Sequence, residues 1–183
     1  MLKTPGKSPF YAKGLRFSCV RCSVCCRFES GFVFLSEKDA SLLGNTLNMG
    51  GKEFAETYCR WIPAENGDYM LSLKEKSNRD CIFWSPELSP RAEGEVSRVP
   101  VGGCRVYRSR PLQCRSFPFW ASLLGDKNSW ETTAMGCPGM NSGLHYSQDS
   151  IEKWLAARQK EPIISRSYQS MGKSVFTNIF YGR

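Results

Sequence analysis

Four of the nine cysteines in this 183-residue chain stand within one short run. The run, Cys19–Cys26, has the spacing C-x2-C-x2-C-C. Three thiols at this spacing are typical of the segment with which bacterial ferredoxins bind a [4Fe-4S] cluster. Pairs of the form C-x2-C also build tetrahedral zinc sites, so the pattern leaves zinc as an alternative. A chain with this run is therefore predicted to fold around bound metal.

The thiols are predicted to be reduced rather than paired in disulfides. Residues 1–9 carry lysines but lead into no apolar segment, so they do not form a secretory signal. No stretch of the sequence approaches the roughly 18 apolar residues of a membrane-spanning helix. These features predict a cytoplasmic protein without membrane insertion, and the cytosol keeps thiols reduced. A chain of this length also buries a core without needing disulfides.

The cysteines outside the run supply the further ligands that metal sites would need. Cys137 is followed by proline, as the remote cysteine of a ferredoxin run is, so it is predicted to complete a first site with the three cysteines at x2 spacing. A second four-cysteine site would take Cys26, Cys81, Cys104 and Cys114. Spacing does not decide between one site and two. The predicted metal ligands are thus Cys19, Cys22, Cys25, Cys26, Cys81, Cys104, Cys114 and Cys137. Cys59, on a predicted helix, is predicted to be a buried thiol without metal.

Three arginines stand close in sequence to the later cysteines and are candidate cofactor-binding residues. They are Arg105, Arg110 and Arg115. A guanidinium can offset the negative charge of thiolates and donate hydrogen bonds to sulfur. The same side chains could equally form a solvated surface, and the sequence does not separate these two interpretations.

The formal net charge of +8 does not by itself predict a nucleic-acid partner. Two four-thiolate sites would each carry about two negative charges, which would reduce the sum to about +4. The chain has no Lys/Arg block, ribonucleoprotein motif or helix-turn-helix pattern. His145, the single histidine, is predicted to be a surface residue rather than a ligand or general base.

The hydrophobic pattern predicts a small, irregular α+β single domain organised around the cysteine-ligated metal. The predicted elements are strands at 31–35 and 69–73, a helix capped by Ser36 and Asp39, a helix at 52–60, a hairpin of 119–124 with 130–134, a helix from Ile151 that ends before Pro162, and a helix in the tail after Ser165. We divide the chain into a basic N-terminal arm (1–16), a cysteine-cluster domain (17–140) and a C-terminal helical extension (141–183).

The whole motif set resembles the YkgJ-like cysteine-cluster family of zinc- or iron-chelating proteins. The resemblance covers residues 17–140 and rests on the cysteine run, Cys81, the segment 104–119 and the segment 136–139. The family is similar to the cysteine-rich part of flagellin lysine N-methyltransferases, which are associated with an iron-sulfur cluster. The resemblance therefore implies bound metal and a protein-modifying role with a protein substrate. Ser23 stands where the family commonly has glycine.

Two classes of function follow from these patterns. The first is an iron-sulfur protein with a redox or methyltransferase-like role. No glycine-rich nucleotide loop, HExxH, GxSxG or P-loop is present, so no catalytic residue is nominated. The second is a zinc-stabilised interaction module without catalysis.

Overall fold

The structure is a computed structural model that describes residues 8–88 and 103–167. The helices in these ranges are α1 (Glu37–Leu47), α2 (Gly51–Tyr58), α3 (Leu112–Ser116), α4 (Ala121–Leu124), α5 (Lys127–Gly136) and α6 (Gln148–Lys160). The strands are β1 (Leu15–Phe17), β2 (Cys59–Pro63), β3 (Tyr69–Leu73), β4 (Trp84–Ser85), β5 (Gly103–Cys104), β6 (Met140–Tyr146) and β7 (Ser165–Arg166). The fold is a small mixed α and β domain, which confirms the predicted fold class. Every helix in the described ranges is too short or too polar to cross a bilayer.

The described strands form three small antiparallel sheets. β1 pairs with β6, β4 pairs with β5, and β3 lies between β2 and β7. Two of these pairings join segments that carry cysteines. The β1–β6 pair places Phe17 opposite Met140, and the β4–β5 pair places Trp84 opposite Cys104.

Apolar side chains pack into two separate cores. The buried members of the first core are Leu35, Leu43, Phe54, Cys59, Leu71, Leu73, Phe83 and Val106. Those of the second core are Phe17, Phe119, Leu124, Trp130, Met140 and Ile151. Phe17 precedes the cysteine run and Leu35 follows it, so the run connects the two cores.

The N-terminus of α1 is fixed by the capping arrangement that the sequence predicts. The Ser36 hydroxyl accepts a hydrogen bond from the Asp39 N–H, and the Asp39 carboxylate accepts one from the Ser36 N–H. Such a capping box satisfies N–H groups that have no partner within the helix. Both residues are buried, so the box also positions the start of α1 against the rest of the domain.

The predicted hairpin at 119–124 and 130–134 is wrong, since these residues form α4 and α5. The Gly125-Asp126-Lys127-Asn128 segment was interpreted as a β-turn. It is instead the end of one helix followed by the cap of the next, because the Asp126 carboxylate accepts a hydrogen bond from the Ser129 N–H. Aspartate is common both in turns and at helix caps, which explains the error.

The other predicted elements differ less from the structure. The strand at 69–73 and the helix from Ile151 are confirmed as β3 and α6. The predicted helix at 52–60 ends at Tyr58, and Cys59 begins β2. In the predicted strand at 31–35, Phe34 forms an isolated bridge with Ser72 rather than part of a longer strand. The predicted tail helix lies outside the described residues.

Candidate metal centre

Cys26 and Cys81 are brought together by their main chains. The Cys81 N–H donates a hydrogen bond to the Cys26 carbonyl at 2.8 Å. Cys26 ends a single 3-10 turn, Val24–Cys26, and Cys81 is paired with Glu75 by an isolated bridge. The end of the cysteine run is therefore held against the segment of the later cysteines by backbone contacts.

Cys104 reaches the same region through the β4–β5 pair. It lies opposite Trp84, and the next residue, Arg105, donates its N–H to the Phe83 carbonyl at 2.9 Å. Because Trp84 follows Cys81 by three residues, this pairing holds Cys104 beside Cys81. Both cysteines are half-buried and pack against the first core.

Cys114 lies in α3, which side-chain hydrogen bonds attach to the rest of the domain. The Asp39 carboxylate accepts the Leu112 N–H at 2.7 Å. The Gln113 amide donates to the Phe32 carbonyl at 2.7 Å and accepts the Phe34 N–H at 3.0 Å. These contacts fix α3, and with it Cys114, against the segment that follows the cysteine run.

Backbone N–H groups point at three of the cysteine sulfurs. They belong to residues that follow each cysteine by two or three positions: Phe83 and Trp84 for Cys81, Val106 for Cys104, and Gly139 and Met140 for Cys137. A hydrogen bond to the charged form of a group favours that form. These N–H groups therefore act against burial, which has the larger effect and raises the pKa of all three thiols, and they favour the thiolate form that binds metal.

Five thiols of the candidate ligand set act on one another electrostatically. Cys114 is a neighbour of Cys26, Cys81 and Cys104, Cys81 is also a neighbour of Cys26 and Cys104, and Cys25 is a neighbour of all four. Burial raises the pKa of the Cys81, Cys104 and Cys114 thiols, and the negative charges of the neighbouring cysteines raise it further. Metal binding must therefore displace protons from these thiols, and metal affinity rises with pH in such a site.

Cys25 and Cys26 form a coupled pair whose sulfurs are 3.8 Å apart. The hydrogen bond from Cys26 lowers the pKa of Cys25 to about 7, and the positive charge of Arg110 assists. The same hydrogen bond and burial raise the pKa of Cys26. Within the described ranges, no three His, Cys, Asp or Glu side chains already form a group that could hold a metal ion.

Cys19, Cys22 and Cys137 lie on the side of the second core. Cys137 packs against that core, and Cys22 is among the charges that raise its pKa, after the larger effect of burial. Cys19 is exposed and Cys22 is half-buried. The third cysteine of the run, Cys25, is an electrostatic neighbour of both groups of thiols.

The three candidate arginines have different surroundings. Arg110 lies over the Tyr107 ring at 3.7 Å and donates to the Tyr107 carbonyl. Its positive charge helps to lower the pKa of Cys25 and partly opposes the rise in the pKa of Cys104 and Cys114. Arg115 instead donates to the Arg110 carbonyl and lies 3.8 Å from the Asp39 carboxylate. Arg105 is exposed. Arg110 is thus the arginine whose charge acts on the thiols, and the cofactor-binding role of all three stays a prediction.

Cys59 and His145 have the burial and the exposure that the sequence predicts for them. Cys59 is buried in the first core, and burial raises the pKa of its thiol to about 12. His145 is exposed, with its Nε2 atom 3.0 Å from the Lys13 carbonyl oxygen. All nine cysteines are free thiols, as the sequence predicts.

Ser23 has a left-handed backbone, with φ of 63° and ψ of 4°. This conformation costs a residue with a Cβ atom about 1 to 2 kcal/mol, and glycine adopts it freely. The geometry explains why glycine suits this position. We expect Ser23→Gly to raise the free energy of unfolding by about 0.5 to 1 kcal/mol, after the greater chain entropy of unfolded glycine is subtracted. Urea unfolding measures the difference.

The matched control for Ser23→Gly is Ser41→Gly on the exposed face of α1, where the helical backbone suits any residue. There glycine should destabilise the protein by about 0.5 kcal/mol. A loss of stability at both positions would contradict the argument from φ.

Glu75 attaches the segment after the cysteine run to the first core. Its carboxylate accepts hydrogen bonds from the Gly31 N–H at 2.6 Å, the Ser30 hydroxyl at 2.9 Å and the Arg60 guanidinium at 2.8 Å. Burial acts to raise the pKa of Glu75, but these three donors together lower it.

Glu75→Gln is expected to lower the free energy of unfolding by about 1 kcal/mol near neutral pH, a modest value because water still reaches the carboxylate. The folded pKa lies below the ordinary value of 4.5. The carboxylate therefore contributes stability above that value and loses its contribution as the pH falls through the folded pKa. Urea unfolding curves of the parent and the variant should converge in acid. Glu65→Gln, at the exposed turn between β2 and β3, is the control. If Glu75→Gln lost as much stability in acid as at neutral pH, the argument from the Glu75 pKa would be wrong.

Asp39 and Gln113 are site-supporting residues that sequence reasoning missed. The local pattern indicates the capping role of Asp39 but carries no signal for its bond to Leu112, which is 73 positions away. Gln113 bonds to main-chain groups about 80 positions away. Contacts at such separations depend on the tertiary fold and leave no local pattern.

The family found by comparison with known proteins covers the segment that contains all nine cysteines. The profile of the CxxCxxCC family, described as a "putative zinc- or iron-chelating domain", matches residues 18–138. An uncharacterized protein of Methanocaldococcus jannaschii is 26% identical over 121 residues, which are 66% of this chain and 54% of that protein. The chain thus spans about half the length of that curated relative. No solved structure matches the chain.

Proposed function

The chain belongs to the CxxCxxCC family, and from this membership we propose that it holds an iron-sulfur cluster on Cys26, Cys81, Cys104 and Cys114 and acts in electron transfer. The observation that carries the proposal is the backbone geometry that brings three of these cysteines to one region: the Cys81 N–H donates to the Cys26 carbonyl at 2.8 Å, and the β4–β5 pair holds Cys104 beside them. Cys114, in α3, is an electrostatic neighbour of all three. Burial and the neighbouring cysteines raise the pKa of these thiols and so keep them protonated without metal. A bound cation reverses this by stabilising the thiolates as ligands.

The residues fit a thiolate-bound cluster in their chemistry. Sulfur is the ligand that iron-sulfur clusters take from proteins, and N–H groups aimed at sulfur are among the features that set their potential. Cys81 and Cys104 both receive such N–H groups. A cluster binds each thiolate through a different iron atom, so its ligands need not form the close group that a single ion requires. When bound, a cluster of this kind accepts and releases single electrons.

The side chains around the thiols have roles that follow from their positions. Arg110 supplies positive charge beside Cys104 and Cys114 and so offsets the charge of their thiolates. Phe83 and Val106, both buried, keep water from the inner side of the site. A nearby cation raises the reduction potential of a negatively charged centre, whereas limited water access lowers it, because water stabilises the more negative, reduced state.

Zinc is the second candidate, and the Cys25–Cys26 pair favours it. Four sulfurs at about 2.3 Å from one tetrahedral ion lie about 3.8 Å from each other. The Cys25 and Cys26 sulfurs are 3.8 Å apart. A single zinc ion that both residues bind would give a structural centre without redox activity.

Metal and sulfide analysis of the anaerobically purified protein tests the proposal. A brown protein with iron and equal acid-labile sulfide, whose visible absorption bleaches on reduction, is the expected result. A colourless protein with stoichiometric zinc and no sulfide would refute the iron-sulfur proposal and support the zinc module. A protein that takes up neither metal after reconstitution would refute both.

The redox role implies a partner protein that exchanges electrons with the centre, and we propose such a partner rather than a methylated substrate. Methyl transfer requires a bound methyl donor, for which the sequence has no recognisable loop. The cytoplasmic location expected from the sequence suits the centre, because the nine free thiols need a reducing compartment.

A further inference from the structure

One face of the sheet formed by β2, β3 and β7 is apolar and points away from the first core. Ile62 lies opposite Met70, and Met70 lies opposite Ser165 of β7. Residues that oppose each other in an antiparallel sheet share a face, whereas successive residues alternate between the faces. Leu71 and Leu73, on the opposite face from Met70, are buried in the first core. Ile62 and Met70 therefore lie on the outer face of the sheet.

Two phenylalanines from the segment after the cysteine run turn this outer face into a groove. Phe34 forms a bridge with Ser72, two positions after Met70, and so lies on the same face. The Phe32 and Phe34 rings are 5.7 Å apart, and Phe32 is 46% exposed. Both rings line a groove of about 540 Å³ together with Ile62 and Met70. Apolar surface gathered in a concave site is typical of a binding site.

We propose that this groove binds the C-terminal tail of the same chain, residues 168–183, as an amphipathic helix. The tail lies outside the described residues, and its sequence carries the argument. At helical spacing its apolar residues share one half of the helix: Met171, Val175, Phe176, Ile179 and Phe180. The polar residues Lys173, Ser174, Thr177 and Asn178 share the other half. A short helix with such a pattern gains its stability by packing its apolar half on another surface, and a groove is a common receiver.

The tail leaves the sheet beside the groove. β7 ends at Arg166, which lies opposite Tyr69, and the next residue of β3 is Met70 of the groove. Residues 167–170 can span up to about 13 Å before the first apolar residue of the tail, Met171. The apolar half of the helix can therefore reach the groove directly from the end of β7.

Tethering and charge favour the tail over a separate partner as the occupant. A segment joined to the sheet by four residues is present at the groove at an effective concentration on the order of millimolar. Among the described residues that line the groove, Glu65 is the only charged one. The tail contains Lys173 and Arg183 and no acidic residue. The two surfaces thus have opposite charge, although an ion pair at an exposed position adds little to stability.

The docked tail would brace the segment that positions α3. The Phe32 carbonyl and the Phe34 N–H both bond to the Gln113 amide, one residue before Cys114. A helix packed on the two rings therefore restrains the main chain to which α3 is attached. The inference goes beyond the proposed function, because the groove and the tail are the same whichever metal the thiols bind.

Photocrosslinking in the full-length protein tests the docking. Phe176 is replaced by p-benzoylphenylalanine, which on irradiation bonds to neighbouring C–H groups and reacts well with methionine. The expected product has the mass of one chain, and mass spectrometry should find the crosslink at Met70 or in the segment 32–34. The control carries the analogue at Asn178, where the yield should be less than about a third, because that position lies on the polar half of the helix.

Trypsin cleavage after Lys173 measures how often the tail is released, because cleavage of a segment that opens and closes rapidly follows its open population. Phe32→Asn should raise the cleavage rate about fivefold or more, since it removes apolar surface from the groove. Its side chain is nearly half exposed, so the substitution spares the fold. Phe28→Asn makes the same change at a phenylalanine that is 61% exposed and lies outside the groove lining. That variant should be cleaved at the parental rate.

Three results would overturn the inference. A photoproduct with the mass of two chains would mean that the tail of one copy binds the groove of another. Absence of a crosslink to the groove, or an equal yield from Phe176 and Asn178, would show that the apolar half of the tail does not bind there and would leave the groove to another protein. Cleavage as fast in the parent as in Phe32→Asn would have the same meaning. None of these measurements depends on metal, so their outcome is independent of the iron-sulfur proposal.

Discussion

Cys114→Ser is expected to lose the metal of the centre proposed on Cys26, Cys81, Cys104 and Cys114 and to lower the free energy of unfolding by more than about 3 kcal/mol. Serine nearly matches cysteine in size, so packing in α3 changes little. Its hydroxyl, however, does not replace a thiolate as a ligand for iron or zinc. Structural metal sites contribute about 10 to 16 kcal/mol of apparent binding energy, which is also folding energy. Losing one ligand of four should therefore remove a large part of the stability.

The control for Cys114→Ser is Cys59→Ser, which makes the same substitution in the first core. Cys59 is 6% exposed and belongs to no predicted ligand set. Its hydroxyl should cost about 1 kcal/mol, because a buried polar group replaces a weakly polar thiol, with no loss of metal. Metal content and the urea midpoint are measured on the same samples. A Cys114→Ser protein as metal-replete and as stable as the parent would show that Cys114 is not a ligand.

The sequence predicts the parts of this domain whose signals are local. The cap at Ser36 and Asp39, strand β3 and helix α6 all follow from patterns within a few residues. The prediction for the segment between α4 and α5 was wrong because that short segment suits both a β-turn and a helix cap. Local sequence offers no way to choose between them, whereas in the structure Trp130 of α5 is buried in the second core.

The candidate site likewise has features that the sequence predicts and features that it does not. Residue type and spacing nominate the cysteines, since thiols that a reducing compartment keeps unpaired have few other uses at this density. The sequence does not predict which cysteines lie together, because this depends on the pairing of β1 with β6 and of β4 with β5. The arginines are the clearest example of a feature that the sequence does not predict. Arg110 and Arg115 are equivalent in the sequence, but one acts on the thiols and the other lies beside Asp39.

Asp39 joins the start of α1 to the helix that carries Cys114. Its carboxylate is 1% exposed and accepts the N–H groups of Ser36 at 3.1 Å and Leu112 at 2.7 Å. The Arg115 guanidinium lies 3.8 Å away. One buried side chain thus satisfies main-chain donors from two elements and holds a positive charge beside them.

Asp39→Ala is expected to lower the free energy of unfolding by about 3 kcal/mol or more. Each buried N–H left without an acceptor costs about 1 to 3 kcal/mol, and removing the partner of a nearby cation adds to the loss. Because α3 is released from α1, Cys114 should be held less firmly, so metal should be extracted by a chelator faster than from the parent. Urea unfolding and the rate of metal loss are the two measurements.

Two further variants test whether the loss of stability in Asp39→Ala comes from the buried contact between Asp39 and α3 or from helix capping alone. Asp39→Asn keeps the shape and one acceptor oxygen, so its loss of stability should be smaller than that of Asp39→Ala. Asp126→Ala removes the cap of α5, where the carboxylate accepts the Ser129 N–H at the surface. That variant should lose less stability and release metal at the parental rate. If Asp39→Ala behaved like Asp126→Ala in both measurements, Asp39 would be an ordinary cap and α3 would be positioned by other contacts.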